Sequence, residues 1–297
     1  MSTAALRQEA HRRRLGEWLL TSPSLLWLAA LVLVPTAIVF VIAVKPPDVD
    51  GGIGAGWSLE TLRSLARSSY ARIAWRTLWL SFLTTVGCML LAVPCGYCIA
   101  RADRRWRQTL LLLVVIPFWT SFLIRIFAWK VLLHPDGALK SALVWLGLVP
   151  ASAGLLYNAG AVLLVMIYTS LPFAILPVYA AAEKLDYTLV EAARDLGATP
   201  LGAFFRVFVP GISRGLIAAT LLVFIPSLGS YIIPDLVGSP SSEMLGNVIA
   251  QRVFVERNLP HASALAAVLT AAVLAPMLIV LLRRNGDAVA APPKGTP

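Results

Sequence analysis

Residues 157–182 run YNAGAVLLVMIYTSLPFAILPVYAAA, and residues 183–210 follow as EKLDYTLVEAARDLGATPLGAFFRVFVP. The first stretch carries no charged side chain and exceeds the about 20 apolar residues that a helix needs to cross a bilayer. The second is polar, and a further apolar run follows it from Gly211 to Ile233. Span, polar loop, span is the pattern of a polytopic membrane protein, and the fold class expected is all-α.

The rest of the chain extends the pattern. Of 297 residues, 58% are hydrophobic and only 13% charged, too few charges to cover a soluble domain, so the apolar excess faces lipid. Runs of spanning length fall at about 18–44, 73–100, 109–133, 157–182, 211–233 and 262–282. They make a transmembrane domain of about six helices over 18–283, flanked by tails at 1–17 and 284–297. The run from Trp18 is longer than the about 7–15 residues of a signal-peptide core, so it reads as a retained span. The Arg12-Arg13 pair is only weak evidence for a twin-arginine signal.

The net charge of +10 does not mark nucleic acid, because the positives sit at the ends of apolar runs rather than on one patch. With the N-terminus inside, inner segments hold Arg7, Arg12–Arg14, Arg101, Arg104, Arg105, Arg107, Lys184, Arg194, Arg206, Arg283, Arg284 and Lys294. Outer segments hold Lys45, Arg63, Arg67, Arg72, Lys140, Arg252 and Arg257. The two-to-one bias predicts cytoplasmic termini and a cytoplasmic 183–210 loop. In the first outer loop, Gly51–Gly56 reads as a flexible linker. His134–Leu156 is too interrupted to span and reads as a short outer helix, and Asp235–His261 has room for one more. Cys88, Cys95 and Cys98 lie within one apolar run, where they read as inert small packing residues rather than a redox pair.

The loop itself has internal design. Thr188 and Glu191 have capping-box spacing, Gly197 is placed to end the helix in the left-handed conformation, and Thr199-Pro200 opens a second helix. Leu201, Phe204, Phe205 and Phe208 are expected on one face of it. Two short capped helices joined by a glycine turn form a stiff knob, with Ala192 and Ala193 keeping it slim. Such a knob suits either docking of a soluble partner or an amphipathic pair on the membrane surface. A DNA-binding pair fits less well, because the segment is not basic.

Glu191-Ala192-Ala193, three residues, Gly197, nine residues, Val207, one residue, then Val209-Pro210 resembles the EAA loop of ABC importer permeases. Valine fills two places where that family often has isoleucine and leucine. The resemblance implies the type I importer permease fold, with Glu191, Ala192, Ala193, Asp195, Gly197 and Pro210 as the contact surface for a cytoplasmic ATPase dimer. It further implies a second permease subunit and a periplasmic or extracytoplasmic solute-binding protein, in a bacterial inner membrane. ATP would be bound by the partner subunits and this chain would need no cofactor, consistent with the absence of a G-x-x-x-x-G-K-[ST] phosphate loop here. Pro117–Arg125 with Ala128-Trp129, Asp186-Tyr187, Phe224-Ile225-Pro226, and Ile233-Pro234 with Gly238 resemble the spermidine/putrescine branch. Related iron, thiamine and opine-type systems share much of this pattern. One departure is Ser230, where the putrescine-type pattern places an acidic residue that a cationic solute would welcome.

A pathway wall is expected where helices break at membrane depth. Pro172 and Pro177 in the fourth span, and Pro226, Gly229 and Pro234 in the fifth, mark such breaks. Trp119, Thr120, Ser121, Arg125, Tyr168, Ser170, Ser227, Ser230 and Tyr231 are the candidates, with ordinary interhelical packing as the alternative. A central arginine costs about 2.5–3.5 kcal/mol on insertion scales, so Arg125 either faces the bundle interior or snorkels outward. His11, His134 and His261 are scattered without metal-ligand spacing, and no nucleophile–base pair is visible, so no enzymatic chemistry is expected. An ATP-independent secondary transporter would be expected to carry a central Asp or Glu, and the spans hold none.

Overall fold

The computed structural model describes residues 3–48, 52–65 and 68–289, with side chains described over 21–48, 52–65 and 69–275. Gly51, Arg67 and the end of the expected C-terminal tail lie outside the described residues. Among those described, every named element is helical and there is no strand. The helices are α1 (Thr3–Ala43), α2 (Glu60–Ser64), α3 (Ser68–Arg101), α4 (Arg104–Val115), α5 (Phe122–Leu132), α6 (Ala138–Trp145) and α7 (Ala159–Glu183). There follow α8 (Thr188–Asp195), α9 (Pro200–Ala203), α10 (Val209–Gly211), α11 (Ser213–Leu228), α12 (Ile232–Val237), α13 (Leu245–Phe254) and α14 (Leu259–Val289).

The chain divides into two units. One comprises 1–66 and 251–297, where Ala43, Ala264 and Ala267 are buried against Val39, Leu62 and Leu65. The expected 1–17 tail continues the helix of the first span from Thr3. The glycine linker is hydrogen-bonded rather than free: Gly54 N donates to Pro46 O at 2.8 Å and Gly52 N to Arg257 O at 3.0 Å. The glycines supply turns that close this loop.

The other unit, 67–250, is a bundle around α3 and α7. Thr77, Ser81, Thr84, Cys88, Ala92 and Ile99 recur at helical spacing along α3 and are all buried. The threonine hydroxyls bond back one turn, Thr84 to Leu80 O at 2.8 Å and Thr77 to Ile73 O at 2.8 Å. The surface is therefore small and dry, which lets neighbouring backbones approach where lipid offers no hydrophobic drive for helix pairing. Of the three cysteines, only Cys88 packs in this way; Cys95 and Cys98 are exposed on the apolar side of α3. Their spacing of three residues puts them on one face, where they line an apolar groove with Leu171 and Ile175 of α7.

Three helical stretches are long and apolar enough to span: Thr21–Ala43, Ser69–Arg101 and Ala159–Glu183. The expected third span is bent by 91° between Arg104–Trp119 and Phe122–Leu132, and the segment Pro200–Gly211 meets Ser213–Leu228 at 72°. Within α14, the apolar part searched is Leu259–Ala275. The prolines of α7 do not divide it: the helix runs unbroken through Pro172 and Pro177. Its N-terminus is capped by Asn158 Oδ1, which accepts from Ala161 N at 2.9 Å. Burial along α7 holds the helix where two backbone hydrogen bonds are missing. The break near Gly229 does occur, between α11 and α12.

Candidate functional site

The knob forms, with one change in its capping. Thr188 does not pair with Glu191; the Asp186 carboxylate accepts from both Thr188 N at 3.0 Å and Thr188 Oγ1 at 2.7 Å. These two bonds hold the Asp186 carboxyl below its ordinary range. At the other end, Ala198 N donates to Ala193 O at 3.0 Å and Gly197 N to Arg194 O at 2.9 Å, with Gly197 at φ +91°. That is the Schellman pattern, which satisfies the last carbonyls and needs a left-handed residue. Thr199 Oγ1 then accepts from Gly202 N at 3.1 Å, opening α9 with Pro200 in its first turn.

The expected shared face of Leu201, Phe204, Phe205 and Phe208 is divided. A π-turn over Phe204–Phe208 shifts the phase of the helix. Phe208 is buried and Phe204 half-buried, while Leu201 and Phe205 are exposed. The outer surface of the knob carries Leu189, Glu191, Ala192, Asp195 and Gly197, all exposed, with Leu196 90% exposed. Pro210 is also exposed, and Ala193 half-buried. A charged helix presenting so large an apolar tip is fitted to be covered.

Beneath the knob lies a cluster of rings. Tyr97 of α3 meets Phe208 at 4.8 Å, Phe204 at 5.3 Å and Tyr187 at 6.3 Å between centroids. The Arg101 guanidinium sits over both Tyr97, at 5.6 Å, and Tyr187, at 5.8 Å. Burial pushes the Tyr187 phenol up, with Tyr97 adding to the effect. Arg107 pairs with Glu183 at 3.0 Å and donates to Ala100 O at 3.0 Å, tying the α3–α4 turn to the end of α7. Nothing in sequence spacing pairs Tyr97 with this loop; its aromatic ring amid Cys95 and Cys98 was the only signal.

A cavity of about 450 Å³ opens at the two helix breaks. Arg125, Ser170, Ser227, Ser230 and Tyr231 line it together, as do Phe118, Phe122, Thr169 and Phe173. The Arg125 guanidinium lies 5.2 Å from the Phe118 ring and 5.8 Å from Phe122. Such contacts return up to about 2 kcal/mol when desolvated, which offsets much of the cost of an arginine at depth. The phenylalanines were missed in the sequence: Phe122 stands three residues before Arg125 on α5, but Phe118 lies before the 91° bend, which spacing alone does not place beside the guanidinium. No carboxylate is found among the described residues of the lining. Four candidates lie elsewhere. Tyr168 packs its ring on Trp129 at 5.3 Å and faces an apolar groove with Cys95 and Cys98. Trp119 is exposed, the Thr120 hydroxyl donates to Pro117 O at 2.8 Å, and Ser121 O accepts from Arg125 N at 3.2 Å. The last two shape the 91° bend rather than the cavity.

Among known families, residues 92–286 match the binding-protein-dependent transport system inner membrane components. The chain belongs to this family. This permease is 37% identical over 259 residues to the spermidine/putrescine transport system permease protein PotB of Haemophilus influenzae, covering 87% of this chain and 90% of that protein. Identity to PotB of Escherichia coli is 33% over 259 residues, covering 87% and 94%. The inner membrane ABC transporter permease protein YdcU of Escherichia coli is 31% identical over 241 residues, covering 77% and 76%. Among solved structures, a chain of a bacterial ABC transporter importing the acidic polysaccharide alginate aligns with TM-score 0.66 at 18% identity, covering 97% of this chain and 100% of that one. The MetNI methionine ABC transporter, in an inward-facing conformation, aligns with TM-score 0.51 at 21% identity, covering 74% and 93%. The permease is thus a multi-pass membrane protein with the fold of a type I ABC importer permease.

Proposed function

We propose that this permease is one membrane subunit of an ATP-driven importer for polyamines such as putrescine and spermidine. It pairs with a second permease to enclose the pathway, docks on a cytoplasmic ATPase dimer through Glu191–Gly197, and receives solute from an extracytoplasmic binding protein. Both termini and the knob face the cytoplasm. The observation that carries this reading is the knob: capped at both ends, mounted on a ring cluster, and exposing Leu196 and Ala192. A rigid protrusion with an uncovered apolar tip transmits the motion of whatever grips it. ATP binding closes the ATPase dimer, the knob moves with it, and the spans rock to alternate access around the cavity at Arg125, Ser170, Ser227, Ser230 and Tyr231.

The solute rests on the PotB relatives. One observation favours a second reading, an opine-type solute bearing carboxylates: the described lining offers a guanidinium and hydroxyls but no carboxylate. Uptake of labelled putrescine, spermidine and an opine into cells lacking this chain, with and without its gene restored, decides between them. Gly197→Asp or Glu191→Lys is expected to abolish uptake while the chain still inserts. Ala193→Cys should crosslink to the ATPase subunit. Retained uptake in both variants, or no crosslink, overturns the docking role.

A further inference from the structure

We propose that α3 is the lever that carries knob motion to the cavity, with Tyr97 and Thr77 as positioning residues at its two ends. This rests on the knob docking an ATPase. At the knob end, Tyr97 touches rings from both arms, Tyr187 before α8 and Phe208 after α9, at 6.3 Å and 4.8 Å. The covalent link from α7 to the knob transmits tension but does not fix an angle. A ring held from both sides fixes one, and edge-to-face contacts at these spacings are directional.

Thr77 lies twenty residues earlier, about 30 Å along the helix axis. Its hydroxyl donates to Ile73 O at 2.8 Å and accepts from the backbone of Leu245, whose N–H is 2.9 Å away. The neighbouring Arg76 donates to Pro240 O at 3.1 Å. The 240–245 segment leads into Asn247, whose amide donates to Tyr231 O at 3.0 Å. Tyr231 belongs to the break between α11 and α12 that walls the cavity. A tilt of α3 imposed at Tyr97 is therefore delivered, by directed hydrogen bonds, to the residues beside Ser230. The buried threonine is fully satisfied, so the far contact is stiff rather than slack.

The test uses the complete transporter in proteoliposomes, with Cys88, Cys95 and Cys98 replaced by serine and Ser230→Cys as reporter. The rate of N-ethylmaleimide labelling is compared with and without ATP and vanadate. The reference protein should show an ATP-dependent change in rate. Tyr97→Ala should shrink that change about tenfold, the size of losing its three ring contacts at the low end of their usual worth, while Tyr97→Phe keeps it. Thr77→Val should shrink it as well, and the double variant should be no worse than the worse single one, because both act on one lever. If Tyr97→Ala does not insert, Tyr97→Leu takes its place with the same expectation. No change in the reference, equal loss in the phenylalanine and alanine variants, or losses that multiply would each overturn the lever. A crosslink from Ala193→Cys to the ATPase, retained while the lever test fails, leaves docking standing; its absence removes docking and the lever together.

Discussion

Asp186 sets where α8 begins. Its carboxylate takes the place at the first turn that Thr188 and Glu191 would have shared in a capping box. A carboxylate two residues upstream accepts both the backbone N–H and the hydroxyl of Thr188, so Thr188 already lies inside the first turn, with its hydroxyl directed back to Asp186 rather than forward. Because acceptance favours the ionised form, the contribution is present above the ordinary carboxylate range and lost as pH falls through the group's own lowered value. Hydrogen–deuterium exchange over residues 187–196 should therefore show protection, corrected for intrinsic exchange, that falls in acid. Asp186→Asn should remove that acid dependence, and Asp186→Ala should speed exchange severalfold at neutral pH. Protection identical in all three would mean that the cap holds nothing. At this scale Gly197 and Thr199 were legible, since a left-handed stop and a threonine–proline start depend on local chemistry alone. Asp186 was visible too, but spacing could not rank two competing acceptors.

Helix by helix, the bundle depends on how closely backbones approach. Gly215 of α11 faces α7: a Cβ added there would meet Pro177 O at 2.8 Å and press on Ala181 Cβ. The obstacle is backbone, which cannot swing away as a side-chain end could. Gly215→Leu should thus force α7 and α11 apart and cost about 1–3 kcal/mol, with Gly215→Ala milder. A lower thermal midpoint for the detergent-solubilised chain, ordered Gly, Ala, Leu, checks this; equal midpoints would show that the helices separate freely. The same packing explains what patterning missed. Pro172 and Pro177 signal breaks in isolation, yet α7, packed along its length, runs on unbroken. The 91° bend at Thr120-Ser121 contains only Pro117 as a warning, and the phase shift at Phe204–Phe208 gave none. Of the five pathway candidates that converged, Ser227, Ser230 and Tyr231 flank Gly229, where a glycine really does end a helix.

For the molecule as a whole, the bent segment between Arg104 and Leu132 raises a choice: a kinked crossing, or a loop that enters and leaves on one side. We propose the kinked crossing, which contacts within the bundle support. Arg107, before the bend, pairs with Glu183 at the end of α7, and Tyr97 meets Tyr187 at the same end. Beyond the bend, Leu133 is buried with Leu156, Leu80 and Val237, and Tyr157 N, just ahead of α7, donates to Val237 O at 3.0 Å. α7 runs from the second group to the first, so the bent segment must run from the first to the second. A loop returning to its own side would leave Arg107 and Glu183 on opposite faces of the membrane. We propose the absolute orientation from charge: the Arg101–Arg107 turn, with four arginines in seven residues, is expected to remain inside. In a background without the native cysteines, Ala151→Cys should react with an impermeant thiol reagent added outside intact cells. Asp103→Cys and Ala193→Cys should react only after the membrane is opened. Asp103→Cys labelled from outside while Ala193→Cys is protected would mean that the bend returns and the lateral contacts are misassigned. Both labelled from outside would invert the permease and remove the ATPase from reach of its knob.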